Sequence, residues 1–278
     1  MQHATHTFQS SDRLNIHTES WLPDGEPKAI VLIVHGYGEH IGRYAHVAER
    51  LVQHGYAVYG LDHRGHGKSE GLRAHFDHFD QPVNDLKQYF DQIKAQHPGQ
   101  KIFLWAHSMG SLIGLAFALR YQDQLAGMVL SGTAVNGDET QPAPLIAVGK
   151  LLSNVIPKVA LIPALPAAAL SHDAAIVTGY DSDPLNYRGA WRVRMGSLLI
   201  EAGRQLRARA SELRLPLLIL HGGDDQLVPK SGSEYMYERA GSSDKTLKIY
   251  PGLYHEVHNE LEKETVLADA VNWLDQHV

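Results

Sequence analysis

A serine, two aspartates and two histidines pose the chemical question in this chain. The stretch FLWAHSMGS (103–111) ends an apolar run, places Ser108 in a near Gly-x-Ser-x-Gly pattern, and continues into a helical pattern opened by small residues. This is the pattern of a sharp strand-to-helix turn that lifts a serine out of the backbone as a nucleophile. The residues two before and two after such a serine must be small, because strand and helix nearly touch. Gly110 meets that demand, and Ala106 replaces the usual first glycine with one extra methyl. The plainer reading is a serine that caps an ordinary helix. For a nucleophile at Ser108, the close packing predicts a strained backbone with positive φ.

Serine needs a base to accept its proton, and in this pattern the partners follow in the order serine, acid, histidine. PLLILHGGDDQLVP (216–229) places Asp224 and Asp225 directly after one late apolar run, and KIYPGLYHEVHNE (248–260) places His255 and His258 after the next. Asp225 is the expected acid, four residues past His221, with Asp224 helping to hold the turn. His255 is the expected base, with His258 one helical turn on, at the pocket rim. An oxyanion needs backbone donors. The Met109 amide follows the nucleophile, and VHGYGEHIGRY (34–44) supplies the Tyr37 amide from an early loop.

The elements that must position these residues alternate. Runs 29–36, 56–65, 101–108, 125–132, 216–223 and 245–252 are short, branched and end near glycine, so they read as buried strands. Nearly continuous apolarity predicts burial on both faces, as in a parallel sheet. Phe79, Val83, Leu86, Phe90 and Ile93 share one helix face, and 44–54, 110–121 and 265–278 behave similarly. The result is an α/β fold, a mostly parallel sheet with helices on both faces. Residues 5–23 add two antiparallel edge strands around a Ser-Ser-Asp turn. The alternation breaks between 136 and 212, which reads as a helical cap inserted into a core made of 1–135 and 213–278. In open α/β sheets, ligands bind beyond the carboxyl ends of the strands, the edge such a cap would cover.

Composition narrows the function classes. The chain has 278 residues, 44% hydrophobic and 20% charged, which is an ordinary globular composition. A net charge of -6 without a basic block argues against a nucleic-acid partner. There are no cysteines, so disulfides and thiol chemistry are excluded. The start is polar, without a secretory signal, and a cytoplasmic location is expected. The most apolar stretch, 143–170, is interrupted by Lys150, Asn154, Lys158, Pro157, Pro163 and Pro166 before a membrane span accumulates.

Other readings fit less well. Gly36, Gly38 and Gly42 with Asp62 suggest a dinucleotide-binding enzyme, but the spacing departs from Gly-x-Gly-x-x-Gly, and Ser108, Asp225 and His255 are left unexplained. Gly67-Lys68-Ser69 lacks the upstream glycine of a phosphate loop. His63, His66, His75 and His78 lack paired carboxylates at ligand spacing and read as surface histidines, with no metal.

With these residues in place, the chain resembles the α/β-hydrolases, and specifically the monoacylglycerol lipase family. HGYGEHIGRY, DHRGHGKSEG, HSMG, YDSDPLNYRG and DKTLKIYPGLYHEVHNE carry the resemblance across most of the chain. It implies an α/β-hydrolase fold with a lid and a cofactor-free serine hydrolase that cleaves a fatty acyl ester from glycerol. It also implies Ser108, Asp225 and His255 as the triad, with the Tyr37 and Met109 amides as oxyanion donors. Glu39, Arg43 and His258 match positions that line the alcohol end of the pocket, and Tyr180 matches a cap residue that helps hold the glycerol head. Ala106 and Tyr37 depart from the family pattern, and the Tyr37 side chain is expected to narrow the pocket mouth. A lysophospholipase or a broad carboxylesterase is the alternative on the same scaffold. Epoxide hydrolases and dehalogenases use Asp where Ser108 stands. The apolar part of the cap would face an acyl chain inside and a bilayer or micelle outside.

Overall fold

A computed structural model describes all 278 residues. The chain opens with an antiparallel pair, β1 (Gln2–Gln9) and β2 (Asn15–Leu22). It then alternates through β3 (Ala29–Val34), α1 (Ala45–Gln53), β4 (Tyr56–Leu61), α2 (Asp80–Gln96), β5 (Ile102–His107), α3 (Met109–Tyr121) and β6 (Gly127–Ser131). An excursion follows, with α4 (Ala143–Val155), β7 (Ala160–Ile162), α5 (Ala174–Ser182), β8 (Trp191–Arg192) and α6 (Val193–Ala208). The chain returns through β9 (Leu217–Gly222), α7 (Ser231–Arg239), β10 (Lys245–Tyr250) and α8 (Lys263–His277).

Eight strands form one sheet in the order β1-β2-β4-β3-β5-β6-β9-β10. β2 pairs antiparallel with β1 and β4, and every other neighbour pair is parallel. Side chains alternate across a strand. Ile30, Leu32 and Val34 of β3 therefore enter one apolar layer with Phe90 of α2 and Phe117 of α3. Val31 and Ile33 enter the other with Leu51 of α1 and Val271 of α8. Burying each such side chain contributes about 1.5–3 kcal/mol, which explains the unbroken apolar runs. β10 departs from the expected double burial. Its residues are only partly buried, because it is the edge strand with β9 as its one neighbour. The excursion also holds more than helices, since β7 and β8 form a small antiparallel pair.

The sheet's centre sets the geometry of the serine turn. A Cβ on Gly110 would overlap the backbone carbonyl oxygen of Val34, so no larger residue fits there. Ala106 faces α3 at a different point. A Cβ built on Gly114 would lie 2.9 Å from the Ala106 Cβ and 2.7 Å from Met128 Cε. The methyl added at Ala106 thus occupies room left by a glycine one turn further along α3. Gly114→Ala should destabilise the fold by about 1–3 kcal/mol through overpacking. Combining it with Ala106→Gly should recover part of that loss in urea denaturation. Strict additivity of the two changes would contradict direct packing.

Candidate active site

Ser108 joins β5 to α3 with φ 52° and ψ −121°, a strained left-handed conformation for a residue with a side chain. The expected positive φ is therefore present. Ser108 occupies the cap position of α3, yet its side chain makes no capping hydrogen bond, which removes the plainer reading of this serine. From residue 102 to 118 every residue is buried except Ser108. Its amide donates to the Ser131 carbonyl at 2.9 Å. Met109 begins α3, and Tyr37 lies in the loop after β3. Neither amide meets an acceptor within the protein.

The acid and the histidine lie past the ends of β9 and β10. His255 Nδ1 donates to Asp225 Oδ2 at 2.7 Å, and Asp225 Oδ1 accepts the amides of Leu227 at 2.8 Å and Val228 at 2.9 Å. His221 Nε2 sits 3.1 Å from Asp225 Oδ2. Burial opposes ionisation of Asp225, but His255 and His221 outweigh it and hold the carboxyl far below the usual range. Burial alone would depress His255, but the charge and hydrogen bond of Asp225, with Glu256 and Glu39, raise it above the ordinary histidine value. The His255 ring packs against Gly132, next to the residue that accepts the Ser108 amide. Nδ1 is taken by Asp225, so Nε2 is the nitrogen left for the serine side. Asp224 is solvent-exposed, and its amide donates to Leu253 at 3.0 Å, consistent with a turn-holding role.

The other expected residues are held more tightly than pocket-lining side chains. Arg43 makes a two-pronged pair with Glu256 at 2.6 and 2.7 Å and donates to Glu39 Oε2 at 2.7 Å. Glu39 Oε1 also accepts from the Gly36 amide and, at 2.8 Å, from Tyr44 Oη. Burial raises Glu39 despite Arg43, whereas Arg43 overcomes burial at Glu256 and lowers it to about 2. Glu256 was not foreseen; its only sequence signal is a charge directly after the expected base. Tyr180 is buried, with Oη 3.2 Å from the Tyr187 carbonyl and 3.4 Å from that of Gly38, and its ring lies under Arg43. His258 is fully buried, not at a rim. It stacks on Tyr44 and meets His107 edge-on, and neither of its ring nitrogens has a hydrogen-bond partner within the protein. Tyr37 does not stand open at a pocket mouth. Its ring is 7% exposed and packs 3.8 Å from Trp191.

The Hydrolase_4 family, described as serine aminopeptidase, S33, matches residues 25–262. The chain is 39% identical over 273 residues to the Mycolicibacterium smegmatis monoacylglycerol lipase, covering 98% of this chain and 97% of that one. The chain belongs to the monoacylglycerol lipase family of α/β-hydrolases. It is also 37% identical over 259 residues to the human monoglyceride lipase, covering 92% of this chain and 85% of the relative. The crystal structure of the Paleococcus ferrophilus monoacylglycerol lipase superposes with a TM-score of 0.83 at 28% identity, covering all of both chains. Family membership makes the chain an ester hydrolase, as the resemblance implied.

In this lipase-family chain the excursion is fastened to the histidine loop. Glu260 Oε1 accepts from the Tyr254 amide at 2.7 Å and bonds His172 Nδ1 at 2.9 Å. Its Oε2 accepts the His172 amide at 2.9 Å, and the Glu256 amide donates to Leu170 at 2.8 Å. Three of the histidines expected at the surface are instead buried: His63, His66 and His75, while His78 is exposed. His63 and His66 pack behind the Tyr37 loop, where His35 Nε2 accepts the His63 amide at 2.9 Å.

Burial depresses His63 to about 3, His66 to about 4 and His258 to about 3, and it pushes His35 and His107 well below the ordinary value. These rings are neutral when folded and take up protons near pH 6.5 when unfolded. The unfolded state therefore binds more protons below that pH, and stability falls as pH drops from about 6.5 toward 4. Each such ring steepens the loss by up to about 1.4 kcal/mol per pH unit. Urea titrations at pH 7.5, 6 and 5 should show this slope, and His258→Phe should flatten it by one proton. A pH-independent midpoint would contradict neutral burial.

Proposed function

We propose that the chain hydrolyses the acyl ester of monoacylglycerols, releasing glycerol and a fatty acid through a Ser108–His255–Asp225 triad. Ser108 Oγ attacks the ester carbonyl as His255 Nε2 takes its proton. The Tyr37 and Met109 amides stabilise the oxyanion. His255 then protonates the leaving glycerol oxygen, and water activated by the same ring releases the acyl group. The observation that carries the reading is the uncapped, positive-φ serine, together with a histidine ring that packs on Gly132, next to the acceptor of the Ser108 amide, and has its Nδ1 fixed on a buried carboxylate. The raised His255 favours the imidazolium that forms when serine loses its proton. The names of the similar proteins support a glycerol ester as substrate.

The substrate resides in lipid, and α4 is built to meet it. Leu145, Val148, Leu151 and Val155 lie along one face of α4, with Leu151 66% and Val155 70% exposed. In this reading that face touches the bilayer or micelle that holds the substrate. No helix is long and apolar enough to cross a membrane.

Ser108→Ala should remove ester hydrolysis and leave the fold intact, measured on a panel of mono-, di- and triacylglycerols, lysophospholipids and nitrophenyl esters. Wild-type activity in the variant would sink the assignment, and a wild-type preference for lysophospholipids would favour a lysophospholipase. Leu151→Glu with Val155→Glu should lower rates on micellar monoacylglycerol several-fold and leave a dispersed short-chain ester unchanged. Equal effects on both substrates would contradict the lipid contact.

A further inference from the structure

The loop that carries the Tyr37 amide is fixed from two directions. Its flanks are held on the core side: the Gly36 amide donates back to Glu39 Oε1 within the loop, and the Ile41 amide donates to Asp62 Oδ1 at 2.8 Å. Its middle, residues 37–40, reaches away from the core toward the excursion. The Tyr187 amide donates to the Gly38 carbonyl at 2.8 Å, and Tyr180 Oη bridges the Gly38 and Tyr187 carbonyls at 3.4 and 3.2 Å. His40 Nε2 pairs with Asp183 Oδ2 at 2.8 Å, while Asp183 Oδ1 accepts the Leu185 amide at 2.8 Å. The Tyr37 ring packs on Trp191, with Tyr187 edge-on at 6.2 Å.

The contact leaves no slack. Gly38 has φ +75°, and a Cβ there would sit 2.9 Å from the Tyr187 carbonyl oxygen and 3.1 Å from Tyr180 Oη. Asn186 is buried and donates to the Tyr180 carbonyl at 3.1 Å, so the 180–187 segment also braces itself. An oxyanion donor works through preorganisation, and an amide in a loop has no strand ladder to supply it.

We propose that Tyr180 and Asp183 are positioning residues for the oxyanion loop, so that the 180–187 segment holds the Tyr37 amide at the reacting carbonyl. This rests on the serine-hydrolase reading above and assigns Tyr180 a task other than gripping a glycerol head. Its hydroxyl is engaged by two backbone carbonyls, and its ring by Arg43. The role acts on the transition state, so its loss lowers kcat and not substrate affinity.

Tyr180→Phe and Asp183→Asn, each assayed on a monoacylglycerol and on 4-nitrophenyl acetate, test this. The second ester has no glycerol head. Both variants should lose about 5–30-fold in kcat on both esters with KM within about twofold, short of the ~10²-fold that a full misplacement costs. Inhibition by a trifluoromethyl ketone, which forms an oxyanion on Ser108, should weaken by the same factor as kcat/KM. A loss confined to the monoacylglycerol and expressed in KM would make Tyr180 a head-group contact and overturn the proposal. Unchanged kinetics in both variants, or unchanged ketone inhibition, would also overturn it. Where Tyr180→Phe fails to fold, Asp183→Asn decides by the same comparison. Failure of the hydrolase reading itself looks different, because the wild type would then cleave neither ester.

Discussion

The close approach of α3 to β3 is the constraint on which the site depends. Gly110 abuts the Val34 carbonyl so tightly that a single added carbon would overlap it. That contact sets the angle at which α3 leaves the sheet and forces Ser108 into positive φ. It also places the first amide of the helix beside the loop that leaves β3. A serine, a helix-terminal amide and a loop amide therefore converge on one side of the sheet as a consequence of one packing distance. The strain at Ser108, on the order of 1–3 kcal/mol, is carried by the large buried layers on either face of the sheet.

Charge completes what packing begins. Asp225, Glu256 and Glu39 surround His255 with more negative charge than Arg43 removes, and the ring's affinity for a proton rises accordingly. A buried guanidinium serving two carboxylates is costly to desolvate, and removing it would leave both acids unpaired. The Arg43 pairs join the loop after β3 to the loop after β10. In the proposed mechanism they hold the oxyanion side and the base side of the site in one frame.

Much of this was legible in the sequence, for a local reason. Apolar runs that end in glycine mark strands, and the residues just past Ile102–His107, Leu217–Gly222 and Lys245–Tyr250 are Ser108, Asp225 and His255. Strand ends are visible locally, and so is a functional residue placed on one. The contacts that escaped are those between distant segments. Arg43 and Glu256 stand 213 positions apart. Nothing near Ala106 announces that Gly114 makes room for it. His63, His66 and His75 read as surface residues because no carboxylates accompany them at ligand spacing, but burial depends on which layer covers them. The β7–β8 pair is too short to leave a periodic signal. The Tyr37 side chain reads as narrowing a pocket mouth because its partner, Trp191, lies far along the chain.

The same distant contacts determine which part of the excursion can yield to a substrate. One of its segments, around 170–173, is tied to the histidine loop through Glu260. Another, 180–187, is tied to the oxyanion loop through Gly38 and His40. Opening at either place would break buried polar contacts and disturb a loop that bears a functional group. Between β6 and the first tie lies α4, which rests on α6 and turns an apolar face outward. A lipid surface can compensate the exposure of that face, as water cannot. In the proposed reading, access for an acyl chain is therefore cheapest through the stretch from about 141 to 166, where motion costs no hydrogen bond to the site. On that reading the polar half of the proposed reaction is held rigid and its apolar half is left adaptable.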